Sequence, residues 1–147
     1  MANPLTLYIP IKQDLATQAE AQLAYDNFVH GVKKGLDDSH IVHYARLALI
    51  PNTNAPGILA VCLITTFDGP MIPYLDFFWG NGALFDAFSA IANIALVPPN
   101  PPITKDDQTG FENFITNNNL NKPTDLYQAY THSVRWIQNP PHTPPSA

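Results

Sequence analysis

Two apolar runs separated by a short turn-rich loop constrain this chain more than any other feature. Residues 40–50 and 58–67 are dense in Ile, Val, Leu and aromatic side chains, and Pro51, Asn52, Asn54, Pro56 and Gly57 punctuate the stretch between them. Such a pattern predicts an antiparallel hairpin. A helix over the first run is the alternative, but the run's length and turn-rich flank favour a strand. Both runs are almost continuously apolar rather than alternating, which predicts that both sheet faces are covered. One face takes the domain's own helices. The other must meet a second subunit, another domain or an apolar ligand.

With 147 residues, the chain is one domain long and able to bury a core without metals or disulfides. Its hydrophobic content of 46% fits a globular fold. Seven Lys+Arg against 12 Asp+Glu leave a net charge of -5. That surface repels phosphate backbones and anionic lipids, so neither nucleic acid nor a membrane surface is an expected partner. The first residues have no cationic region followed by an apolar core, and no run reaches a membrane span. Cys62 is a single cysteine, so an internal disulfide is excluded, in keeping with a reducing, cytoplasmic setting.

Along the chain, residues 5–11 read as a first strand with Pro10 at its end. A helix follows from about Gln13 to Leu36, presenting Ala21, Tyr25, Phe28, Val29, Val32 and Leu36 on one side, with Leu15 at the margin. Gly35 and Asp37-Asp38-Ser39 are expected to end it. After the hairpin, Asp68 can cap and Pro70 can start a short helix through Ile72, Leu75 and Trp79. Gly80-Asn81-Gly82 breaks it. A second helix from about Ala83 to Leu96 carries Leu84, Ala87, Phe88, Ile91, Ile94 and Ala95 on one face. Residues 98–102 form a stiff proline-rich connector, and 109–118 are helical. Residues 126–130 are a candidate last strand, followed by a helical turn through Val134, Trp136 and Ile137. The domain therefore spans 1–139, with a proline-rich tail at 140–147. The order βαββαβ, with helices on one sheet face, is the ferredoxin-like α+β fold.

One pattern goes further. His43-Tyr44-Ala45-Arg46, then Leu63 to Gly69, then Tyr74-Leu75-Asp76-Phe77 resembles small ferredoxin-like proteins of the dimeric α+β barrel superfamily. Relatives there include small monooxygenases and the dye-decolourising and chlorite-dismutase-type haem enzymes. The resemblance implies a homodimer whose bare sheet faces enclose a cavity, and it brings in haem as an alternative to a cofactor-free site. Phe67-Asp68-Gly69 is only loosely similar to the distal Asp-Gly element of the dye-decolourising enzymes, and no histidine matches a proximal ligand by motif. The fold hosts many unrelated functions, so it does not fix an activity.

The residues able to carry chemistry gather at the hairpin ends. His43 and Arg46 stand three apart, so in a regular strand they face opposite ways. His43 is either an acid/base or ligand group in a cavity or a neutral, hydrogen-bonded core histidine. Without a motif the second reading is favoured. Arg46 is expected to pair with Asp68 or Asp76. Asp68 has a sufficient role as a helix cap, and a catalytic one follows only from the resemblance. Tyr44, Thr66, Phe67, Tyr74 and His132 are the expected ligand-side residues, although aromatics at helical spacing are more often core, as read for Phe78 and Trp79. His132 reads first as a surface turn residue. No metal-ligand spacing, nucleophile motif or phosphate-binding glycine loop is present.

Three functions are therefore weighed. The first is a dimeric α+β barrel protein binding a hydrophobic small molecule or partner across the open sheet face. The second is a monooxygenase-like or haem-dependent peroxidase-like oxidoreductase using His43, Arg46 and Asp68. The third is an accessory domain for a separate enzyme.

Overall fold

The computed structural model describes residues 2–121 and 132–139. Its sheet has three antiparallel strands among these residues: β1 (Ala2–Pro10), β2 (Val42–Pro51) and β3 (Ile58–Asp68), in the order β1-β3-β2. The expected hairpin is present, with β2 and β3 joined through the 52–57 loop. Because β1 and β2 each run antiparallel to β3, they are parallel to one another with β3 inserted between them. The fold class is α+β. The candidate strand at 126–130 and the tail at 140–147 lie outside the described residues.

Register explains which face is buried. Leu5, Thr65 and Ala45 align across the sheet, as do Leu7, Leu63 and Leu47, and Ile9, Val61 and Leu49. With Phe67 they form the inner face, and most of them are fully buried. The alternate positions, including Thr6, Tyr8, Tyr44, Arg46, Cys62, Ile64 and Thr66, form the outer face and are half-buried or exposed. Tyr44 is 51% exposed and Ile64 38%. Continuous hydrophobicity in β2 and β3 thus corresponds to one packed face and one apolar but open face.

Helices pack on the inner face. Helix α1 (Leu15–Gly31) starts at Asp14, whose carboxylate accepts from the Thr17 amide at 2.9 Å and the Thr17 hydroxyl at 2.8 Å. It buries Thr17, Ala21, Ala24 and Phe28. The single helix expected over 13–36 is instead two, with α2 (Lys33–Ser39) following a bend at Val32. Gly35 does not terminate it. A Cβ there would meet Asn81 Nδ2 and Leu84 Cδ1, both at 3.1 Å, so the glycine lets α2 approach the next helical layer closely. The helix ends at His40, a non-glycine residue in the left-handed region with φ 52°.

Helices α3 (Met71–Gly80) and α4 (Gly82–Ile94) fall close to their expected positions. Asp68 is not the cap of α3. Pro70 occupies that position with no side-chain hydrogen bond, and Asp68 is engaged elsewhere. Asn81 caps α4 through the Leu84 amide, and Asp107 caps α5 (Gln108–Asn118) through the Gly110 amide. An aromatic cluster seals these helices against the sheet: Phe67 stacks on Tyr74 at 3.7 Å, and Phe78 meets Tyr74 edge-on at 4.3 Å. After α5 the chain returns to the free edge of β1, where Asn119 bridges Leu7 and the Leu120 amide donates to the Thr6 carbonyl. The short α6 (Val134–Gln138) follows. No helix among the described residues is long and apolar enough to cross a membrane.

Candidate functional site

His43 sits where β2 departs from regular pairing. Val42 aligns with Phe67 but Tyr44 aligns with Thr66, so His43 is an extra residue, as in a β-bulge. Bulges re-aim a side chain out of strict alternation. Here the imidazole reaches the last residue of β3: His43 Nε2 lies 2.8 Å from Asp68 Oδ1, with side chains 18% and 20% exposed. The other Asp68 oxygen accepts the Val134 amide at 2.7 Å. One carboxylate therefore joins β2, β3 and the start of α6. A carboxylate only accepts, so in the neutral ring the proton sits on Nε2 and Nδ1 is left as an acceptor.

Beside this pair lies a cavity of about 440 Å³ between the free edge of β2 and helices α1 and α2. Phe28, Val29, Val32, Leu36, Val42 and Leu47 give it apolar walls, and His43 and Gln138 are among its polar lining residues. The volume is within the range of small-molecule pockets. Lys33 and Asp37 also border it but pair with each other at 2.6 Å. Gln138 is held by His40, whose Nδ1 lies 2.6 Å from Gln138 Oε1. With Val134 bonded to Asp68, both ends of α6 are tied to the strand ends around the cavity.

Of the remaining expected site residues, Tyr44 and Arg46 also line this cavity, and Thr66, Phe67, Tyr74 and His132 are not among its lining. Arg46 makes no ion pair with Asp68 or Asp76 among the described residues; Asp76 accepts from Gln108 Nε2 at 2.6 Å. The Arg46 guanidinium lowers the Cys62 thiol pKa, although burial has the larger effect and pushes it up overall. Arg46 is also among the residues that line the cavity with His43. Tyr44, which also lines the cavity, and Thr66 belong to the outer sheet face. Phe67 and Tyr74 are sealed in the core, where the Tyr74 hydroxyl is 2.7 Å from Thr65 Oγ1. Burial pushes the Tyr74 phenol far above its usual range, as befits a core group rather than a ligand wall. His132 is exposed and stacks on Trp136 at 3.7 Å.

Sequence reasoning brought His43 and Asp68 to the hairpin end without pairing them, and it missed the cavity walls contributed by α1 and α2. The signal was present in Val29, Val32 and Leu36. These extend the apolar stripe of the helix beyond what Ala21, Ala24 and Phe28 need to cover the core. Among the described residues no group of three or more His, Cys, Asp or Glu could hold a metal ion. Comparison with protein-family models, curated proteins and solved structures finds no match to this chain.

Proposed function

We propose that this chain is a ferredoxin-like, small-molecule-binding protein whose ligand occupies the cavity between β2 and helices α1 and α2. The supporting observation is the coincidence of an apolar-walled space of about 440 Å³ with a positioned His43–Asp68 pair. This reading places the ligand behind the free edge of β2 rather than on the open sheet face. The fourth strand of a ferredoxin-like sheet would lie beside β1, where Asn119 and Leu120 already return to its free edge. Haem is not part of this reading. Arg46 lines the same cavity, and no observation assigns it an oxidoreductase role.

Saturation-transfer NMR with ethylbenzene and 4-ethylphenol as probes tests the reading. Both should bind wild-type protein, and Ala45→Trp, which fills the cavity from β2, should abolish transfer while cooperative unfolding is retained. Unchanged binding in that variant would place the probes elsewhere and refute the proposal.

A second reading has its own observation. Tyr44 and Ile64 expose apolar surface on the outer sheet face, which fits pairing with a second copy of the chain. Sedimentation should then show a dimer that Ile64→Lys converts to monomer. A wild-type monomer at all concentrations removes this reading and leaves the cavity proposal standing.

A further inference from the structure

We infer that the ligand of this cavity is an amphipathic monocarboxylate, an apolar body whose single carboxylate is bound by Arg46 at the cavity mouth. The inference rests on the proposed binding function and names the ligand class of that site.

The lining has two sides. Every residue from Val42 to Leu47 borders the cavity, so side chains of both sheet faces contribute and the space wraps the free edge of β2. Arg46, an exposed residue of the outer face, thereby shares it with buried Leu47. Phe28, Val32 and Leu47 are buried and supply an apolar interior. Arg46 and Tyr44 are exposed and mark the side open to solvent. A molecule with an apolar end inward and a polar end outward matches that division.

Charge selects the polar end. Lys33 and Asp37 pair with each other at 2.6 Å, and His43 is matched by Asp68 at 2.8 Å. The Arg46 guanidinium has no hydrogen bond or ion pair among the described residues. Among those residues the lining thus carries one unmatched positive charge, in a chain whose net charge is -5. Such a site attracts an anion and repels a cation.

Hydrogen bonding agrees. Gln138 spends Oε1 on His40, so its amide N–H groups remain as donors beside the guanidinium and the Tyr44 hydroxyl. A carboxylate only accepts, and its two oxygens fit the guanidinium fork. One guanidinium balances one negative charge, which favours a carboxylate over a doubly charged phosphate monoester. The acceptor Nδ1 of His43 would oppose an anion placed beside it. It stands three residues from Arg46, about 10 Å along a strand, so a head group held by Arg46 is clear of it. At the exposed mouth the carboxylate also keeps part of its hydration and avoids the cost of full burial.

The experiment compares 4-ethylbenzoate with 4-ethylbenzamide, which share an apolar body and a planar head and differ in charge. Affinities are read by saturation-transfer titration at low ionic strength. Wild-type protein should bind the carboxylate at least about fivefold more tightly, the factor given by the upper range of a solvent-exposed ion pair. Salt at about 0.5 M should shrink that ratio. Arg46→Gln, at an exposed position, should bring it close to one in protein that still unfolds cooperatively. Arg46→Lys should restore part of it, as a charge without the fork. A readout on unmodified protein guards against misfolding of the variants: the Arg46 Nε–H resonance should move further with the carboxylate than with the amide. Equal affinities in wild-type protein, or a preference for the carboxylate that survives Arg46→Gln, would overturn the assignment, while binding of ethylbenzene leaves the cavity proposal intact. Failure of all three probes to bind would instead remove the binding function beneath it.

Discussion

Tyr74 and Thr65 illustrate how the meaning of a side chain is set by what it meets. In the sequence, Tyr74 stands among aromatics that would equally serve as core or ligand wall. What decides is Thr65, nine residues earlier, whose hydroxyl lies 2.7 Å from the phenol oxygen in a fully buried setting. No periodicity rule pairs a strand threonine with a helix tyrosine, so this contact was not legible. Tyr74→Phe should leave Thr65 Oγ1 unsatisfied and cost about 1–3 kcal/mol in urea unfolding. Adding Thr65→Val should recover much of that loss, since both partners are then apolar. Because burial raises the Tyr74 pKa above its ordinary value of 10.0, folding favours the protonated phenol. Its contribution is complete below that value and declines as pH rises past it. Cys62 offers a second residue-level check. Its raised pKa lowers the thiolate fraction at neutral pH, so a thiol reagent should modify it more slowly than free cysteine. Arg46→Gln removes the charge that opposes the shift and should slow modification further.

Elements were the most legible level, because amphipathic stripes and turn residues act locally. The hairpin, α3, α4 and α5 emerge close to where pattern and punctuation place them. The exception is the first helix, where a glycine read as a stop is a packing device. At Gly35, Ala would gain about 1 kcal/mol of helix propensity. Its Cβ, however, would press on Leu84 Cδ1 and Cγ at 3.1 and 3.2 Å, and Leu84 is fully buried with no space to yield. Overpacking typically costs about 1–3 kcal/mol, so Gly35→Ala should be destabilising despite the propensity gain, with a lower urea midpoint. Asp14 is simpler, because a capping Asp before an apolar-striped segment has a sequence signature. Hydrogen bonds from the Thr17 amide and hydroxyl hold its carboxyl below the ordinary value of 3.8. The ionised form is therefore favoured by folding, and the cap's contribution is present above that value and lost as pH falls through the lowered pKa. Asp14→Ala should speed exchange of the Thr17 amide at neutral pH and flatten the acid limb of the stability profile.

At the scale of the whole molecule, the site depends on contacts that span 25 and 66 residues of sequence, and such distances are where sequence reading loses its grip. Asp68 was legible as a polar residue at a strand end, but local rules favoured a cap on the helix two residues later. The β-bulge at His43 and the arrival of Val134 override that local choice. One carboxylate then satisfies an imidazole from the edge strand and an orphan amide at the start of α6, where an anion is also favoured by the helix dipole. Asp68→Asn tests this junction more sharply than truncation to alanine, since the amide keeps one acceptor oxygen and adds a donor group. That oxygen can serve His43 or Val134 but not both, and the amide nitrogen must face the other partner. One charge-assisted hydrogen bond is lost, worth about 1.5–3 kcal/mol. The strand pairing is untouched, so the sheet should unfold cooperatively at a reduced urea midpoint. Amide exchange separates the alternatives. If the asparagine oxygen stays with His43, the Val134 amide should exchange many-fold faster while β3 amides keep their relative protection. If the oxygen turns to Val134, exchange there should be nearly unchanged and the His43 ring resonances should move instead. Neither change would show that the carboxylate does not hold α6 and the imidazole together.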